Sequence, residues 1–149
     1  MFHPLFIDLK GKKILIIGAG SVGTKRALAL LKHGAEVTVV SKTFSKKIEG
    51  SKAVLIKGDA VQVLPSLRGF FLVVIASDER KANQFVSRKA RKEGVLVNRT
   101  DKYRKGDVVF PMTAKIKGHT MAYTTLGENP RLLKKIKKLI RDEFSKDET

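Results

Sequence analysis

Between Lys12 and Asn98 the chain alternates short apolar runs with stretches whose apolar residues recur at helical spacing. Lys12–Ile17 (KKILII), Glu36–Val40 (EVTVV), Ala53–Lys57 (AVLIK), Phe70–Ala76 (FFLVVIA) and Val95–Asn98 (VLVN) are β-branched or continuously apolar and predict strands. Between them the spacing predicts a helix over 21–33, with Val22, Ala27, Leu28 and Leu31 on one side and Gly34 as its stop. A second helix is predicted over 79–92, with Ala82, Phe85, Val86 and Ala90 apolar, ended by Gly94. Strands that are apolar throughout are buried on both faces, as in a parallel sheet. Right-handed crossovers then give an α/β fold, a doubly wound sheet of the Rossmann type.

The pattern changes after Asn98. Val108–Phe110, Thr113–Lys117 and Thr120–Thr125 read as short strands, the last two joined by a hairpin-like turn at Lys117-Gly118-His119. Asn129-Pro130 then opens a helix, Asn as its cap and Pro at its first position. Leu132, Leu133, Ile136, Leu139, Ile140 and Phe144 form an apolar stripe against a face of lysines. The expected division is a Rossmann domain over 1–108 and a hairpin-plus-helix element over 109–149. One hairpin and one helix bury little alone, so a second copy of the chain is the expected cover and the element is read as a dimerisation device.

Composition narrows the classes. The 149 residues suit one domain with a small appendage, and 42% apolar with 30% charged residues reads as globular. With no cysteine there are no disulfides and no thiolate sites. The opening MFHPLFIDLKGKK is too short and too charged for a signal peptide, and no apolar run is long enough for a membrane span. A cytoplasmic protein with no membrane partner is expected. The net charge of +17 favours an anionic partner, although scattered lysines also serve solubility.

One motif carries chemistry. Gly18-Ala19-Gly20-Ser21-Val22-Gly23 is G-x-G-x-x-G, directly after the first strand and opening the first helix. The first glycine permits a tight turn, the second lets a pyrophosphate approach the backbone, and the third lets helix and strand pack closely. The helix N-terminus adds free N–H groups and a positive dipole end. The acid expected after the second strand, where it would hold a ribose hydroxyl, is missing. That position reads Val40-Ser41-Lys42: Lys42 suits a 2′-phosphate and leans towards NADP, whereas Ser41 can bond a hydroxyl. His3, His33 and His119 lack ligand spacing, and no metal site is expected. Asp101 lies just beyond the fifth strand, where open sheets bind ligands. There it reads either as a general base or as a loop aspartate paired with Arg99 or Lys102.

Longer segments are similar to the N-terminal portion of siroheme synthases, the precorrin-2 dehydrogenases, some of which are also sirohydrochlorin ferrochelatases. The resemblance rests on Pro4–Lys13 before the glycine loop, Gly34–Val40, Ile75-Ala76-Ser77-Asp78-Glu79, Val97-Asn98-x-x-Asp101, Phe110-Pro111 and Thr124-Thr125-x-Gly127-x-x-Pro130. These occur in the family's order over nearly the whole chain.

The resemblance implies NAD-dependent oxidation of precorrin-2 to sirohydrochlorin, with Asp101 as the catalytic residue. It implies NAD rather than NADP, held by the glycine loop with Ser41, Lys42, Ser77 and Asp78. It also implies a homodimer joined through the region after the nucleotide domain. Asn98, Arg99 and Lys102 become candidates for a polycarboxylate tetrapyrrole, with Lys25, Arg26, Arg104 and Lys105 candidates by position. The family usually continues into a further helical portion that helps cover substrate. A dehydrogenase without iron insertion is therefore expected. The family's Gly-x-Ser-Pro reads Gly127-Glu128-Asn129-Pro130, without the serine. The rival readings are an NAD(P)-sensing module that does not need Asp101 and a nucleic-acid binder. The second is opposed by few aromatics: eight Phe, two Tyr and no Trp.

Overall fold

The computed structural model describes residues 2–126 and 129–145. The chain forms two compact units, Met1–Val108 and Val109–Thr149.

The first unit holds strands β1 (Lys13–Ile17), β2 (Glu36–Ser41), β3 (Val54–Lys57), β4 (Leu72–Ile75) and β5 (Leu96–Arg99). They form one parallel sheet in the order β3-β2-β1-β4-β5. Helices α1 (Ser21–Lys32), α2 (Lys46–Glu49), α3 (Ala60–Val63) and α4 (Arg80–Lys92) lie between the strands in sequence. Alternation along each strand divides the core in two. Leu15, Ile17, Val40, Val73, Ile75 and Val97 pack with Ala60, Leu64, Leu67, Val86 and Ala90, so α3 and α4 cover one face. Ile14, Ile16, Val39 and Val74, on the other face by alternation, are fully buried as well. From β3 the chain crosses to the far side of β1 to begin β4. That reversal opens a crevice beside the carboxyl end of β1.

The helices bury Ala27, Val86 and Ala90 as expected but depart from expectation at individual positions. On α1 the buried residues are Gly23, Thr24, Ala27 and Leu30, while Val22 is exposed. On α4 they are Asn83, Val86, Ser87 and Ala90, while Phe85 is exposed. The burials of Thr24 and Asn83 arise from bonds that apolar spacing does not encode: Thr24 Oγ1 donates to the Ala19 carbonyl, and Asn83 bonds Ser77. The short helices α2 and α3 were not anticipated, because a single turn is too brief for helical periodicity to register. The expected strand at Val108–Phe110 is absent. The N–H groups of both Asp107 and Val108 donate to the Val97 carbonyl, at 2.6 and 3.0 Å, a doubled bond that turns the chain rather than extending a ladder.

The second unit contains the antiparallel pair β6 (Met112–Ile116) and β7 (His119–Tyr123), followed by α5 (Pro130–Ser145). The turn is Lys117-Gly118, both at positive φ (46° and 80°), and His119 already belongs to β7. That is the primed geometry suited to two-residue hairpins. Asn129 Oδ1 accepts the Leu132 N–H at 2.9 Å and caps α5. Along the apolar stripe Leu132 and Leu139 are exposed. Gly127 and Glu128 of the family motif lie outside the described residues, as does the Phe144 side chain.

Candidate active site

β1 runs straight into the glycine loop. Gly18 has φ +95°, a conformation that glycine adopts without steric cost, and its N–H donates to the Val40 carbonyl at 2.8 Å. A Cβ on Gly18 would lie 2.7 Å from the Ala76 carbonyl oxygen, and one on Gly23 would run into the Gly18 carbonyl. Both glycines are required by the packing of β1, α1 and the end of β4. Gly20 differs, because a Cβ there meets nothing within 4 Å. The fold itself does not need its bareness. Gly20 caps α1 without a side-chain bond, and no acid stands in the first turn. The helix end therefore keeps its N–H groups and positive dipole, a combination that suits an anion.

A cavity of about 260 Å³ opens here, at the carboxyl ends of β1, β2 and β4. Of the expected cofactor residues, Gly18, Ala19, Gly20, Ser41, Lys42, Ser77 and Asp78 line it. Ser21, Val22 and Gly23 do not: the first two point from the opening turn of α1 as exposed residues, and Gly23 is buried against Gly18. Ser41 Oγ accepts the Ala19 N–H at 3.2 Å, tying the end of β2 to the loop. Two lining residues that sequence reasoning missed are Asp59 and Glu79. Lys42 Nζ lies 2.6 Å from Glu79 Oε1 and 3.9 Å from Asp59 Oδ2. The bond and charge of Glu79 hold the Lys42 ammonium above its ordinary pKa. Glu79 closes the family-like stretch Ile75–Glu79, whereas no linear signal marks Asp59; they stand at the starts of α4 and α3.

Asp101 follows β5. Arg99 Nε donates to its Oδ1 at 2.7 Å and Nη2 to its Oδ2 at 2.5 Å. The Arg99 side chain is 6% exposed and that of Asp101 26%. The guanidinium beside it holds the Asp101 carboxyl below the usual carboxylate range, against an upward push from desolvation; Asn83 adds a further downward pull. Asn83 donates to the Ser77 carbonyl at 2.7 Å and accepts from Ser77 Oγ at 3.0 Å. Asn83 thus joins the Asp101 side of the sheet to a residue that lines the cavity.

Among the substrate candidates, Arg99 is buried on Asp101 rather than offered to solvent, and Lys102 is exposed. Asn98 is buried; its Nδ2 donates to the Val108 carbonyl at 2.7 Å, and its Oδ1 has no partner among the described residues. Lys25 is exposed and Arg26 half-buried. His33 closes α1, and no cluster of three potential metal ligands occurs among the described residues.

Comparisons with known proteins agree with this geometry. The model of a family described as putative NAD(P)-binding matches residues 5–112. The precorrin-2 dehydrogenase of Methanosarcina barkeri is 32% identical over 157 residues, covering 97% of this chain and 69% of that protein. The chain belongs to this NAD(P)-binding family of precorrin-2 dehydrogenases. The siroheme synthase of Buchnera aphidicola is 32% identical over 145 residues. That match takes in 93% of the chain but only 30% of the synthase, so the chain spans under a third of that relative. A solved structure of the precorrin-2 dehydrogenase SirC superposes with a TM-score of 0.79 at 26% identity, covering 96% of this chain and 71% of that one. The NAD(P)-binding family thus spans residues 5–112, which include the cavity where the strand order reverses.

Proposed function

We propose that the chain oxidises precorrin-2 to sirohydrochlorin with NAD, as a step of siroheme formation. The observation that carries the reading is the cavity at the glycine loop. There Gly20 is bare without steric need and the start of α1 is uncapped, in a chain that matches precorrin-2 dehydrogenases over nearly its whole length.

NAD held on this loop supplies the hydride acceptor. The residues around the cavity bind and orient it: the loop and the α1 N-terminus for the pyrophosphate, Ser41 for a hydroxyl, Ser77 and Asp78 for the side facing β4. Asp101 takes the proton released from the ring. Arg99 keeps the Asp101 carboxylate ionised and in one orientation, so its role is to position Asp101 rather than to grip substrate. Asn98 Oδ1 offers a buried acceptor, and exposed Lys102 offers a cation to a carboxylate of the macrocycle. The +17 charge concentrates such a polyanion near the protein. The unit over 109–149 pairs with its copy in a homodimer through the exposed stripe of α5. Among the described residues no helix is long and apolar enough to cross a membrane. The proposed enzyme works in the cytoplasm without a membrane or nucleic-acid partner.

The test is anaerobic incubation of the purified protein with precorrin-2 and NAD, following NADH and sirohydrochlorin by absorbance. Turnover in the wild type and its loss in Asp101→Ala, with NADH binding retained, is the expected result. NADH binding without turnover in the wild type would favour the sensing module instead.

A further inference from the structure

Lys42, Asp59 and Glu79 meet at one edge of the nucleotide cavity, although they follow β2, precede α3 and precede α4 respectively. In dinucleotide folds the residue after β2 faces the ribose 2′ position. An acid there accepts the hydroxyl and repels a 2′-phosphate, whereas a cation welcomes the phosphate. Read linearly, Ser41-Lys42 is the phosphate-tolerant version. Folding reverses that sign. Glu79 Oε1 lies 2.6 Å from the Lys42 ammonium and Asp59 Oδ2 lies 3.9 Å from it. One cation against two carboxylates leaves the edge with a net negative charge. The Asp59 carboxylate is held by the Val61 N–H, which donates to its Oδ1 at 2.9 Å; the Glu79 backbone is fixed by its N–H donating to Ser77 Oγ at 3.1 Å, and Lys42 holds its carboxylate.

We propose that Asp59 and Glu79 are the residues that restrict this chain to the dinucleotide lacking a 2′-phosphate, and that Lys42 anchors them instead of binding phosphate. The inference rests on the nucleotide-binding reading above and explains how the site selects NAD without an acid at the end of β2. Surface ion pairs of this kind contribute little to stability. Their consequence here is the local sign of the field, which an incoming dianionic phosphate meets directly.

Binding of NADH and NADPH, followed by nucleotide fluorescence at low and moderate salt, tests the inference without any turnover. The wild type is expected to bind NADH at least about tenfold more tightly than NADPH, with the gap narrowing as salt screens the acids. In Asp59→Asn/Glu79→Gln, where Asn still caps α3, NADPH affinity rises about tenfold while NADH affinity stays within about threefold. Adding Lys42→Met removes that gain. Equal binding of both nucleotides by the wild type, or unchanged discrimination in the double variant, overturns the inference while leaving the nucleotide site intact. Binding of neither nucleotide overturns the underlying reading as well.

Discussion

The Arg99 guanidinium clasps the Asp101 carboxylate from two residues upstream, both ends of the fork engaged at 2.7 and 2.5 Å. The arginine is buried while the aspartate keeps a quarter of its side chain open. A buried cation thus holds a partly open anion, and the anion retains a face for a ligand.

The pairing sets a pH dependence. Because the folded pKa of Asp101 is depressed, its basic form persists as pH falls and is lost only below the ordinary carboxylate range. In Arg99→Met that hold disappears, and the acid limb of the kcat/KM profile should move upward. Asp101→Asn should lower turnover by about 10²-fold or more with NADH affinity unchanged. A profile in Arg99→Met superimposable on the wild type would remove Arg99 from its positioning role.

Two of the loop glycines should separate stability from binding. Gly20→Ala places its methyl in open space and should cost at most about 1 kcal/mol as a poorer cap, yet weaken NADH binding by about tenfold or more. Gly23→Ala drives a methyl into the Gly18 carbonyl and should destabilise the fold by several kcal/mol. Chemical denaturation and NADH titration of both variants check the contrast.

Asn83 is 1% exposed and bonds Ser77 twice. Asn83→Ala should cost about 1–3 kcal/mol, the range for stranding buried partners. It should also weaken NADH binding, since Ser77 lines the cavity. Destabilisation with unaltered NADH affinity would show that the bond is purely structural.

Glu93 accepts the Leu67 N–H at 2.5 Å and the Ser66 hydroxyl at 3.0 Å, and these bonds lower its pKa. A depressed carboxylate contributes stability above its unfolded pKa, which is lost as pH falls through the folded value. Glu93→Gln should therefore melt lower at neutral pH and lose less on acidification below about pH 4.3. Melting curves across that range measure it.

Leu132 and Leu139 of the α5 stripe are open to solvent. Light scattering should give twice the 16.5 kDa chain mass, and Leu139→Glu should shift it towards the monomer. A monomeric wild type at micromolar concentration would end the dimer proposal.

The strand positions and the glycine loop were legible because both are local. An apolar run between glycines fixes β1, and the turn chemistry of Gly18 and Gly23 is written in neighbouring residues. The side that each helix buries was less legible. Val22 and Phe85 look like core residues, but Thr24 and Asn83 take the interior because each satisfies a backbone carbonyl there.

The sequence by itself determined the alternation of strands and helices, the phosphate loop and the aspartate after β5, since periodicity, backbone conformation and helix polarity act over a few residues. Only the tertiary structure decided the charge around the cavity and which partner the proposed base takes. Lys42 reads as a free cation until the strand order β3-β2-β1-β4-β5 brings Glu79, 37 residues away, onto its ammonium. Asp101 reads as a free base or as the partner of Arg99 or Lys102 until burial at the end of β5 turns Arg99 onto it. Electrostatic interactions depend on separation in space and on the surrounding dielectric, and neither is set by separation along the chain.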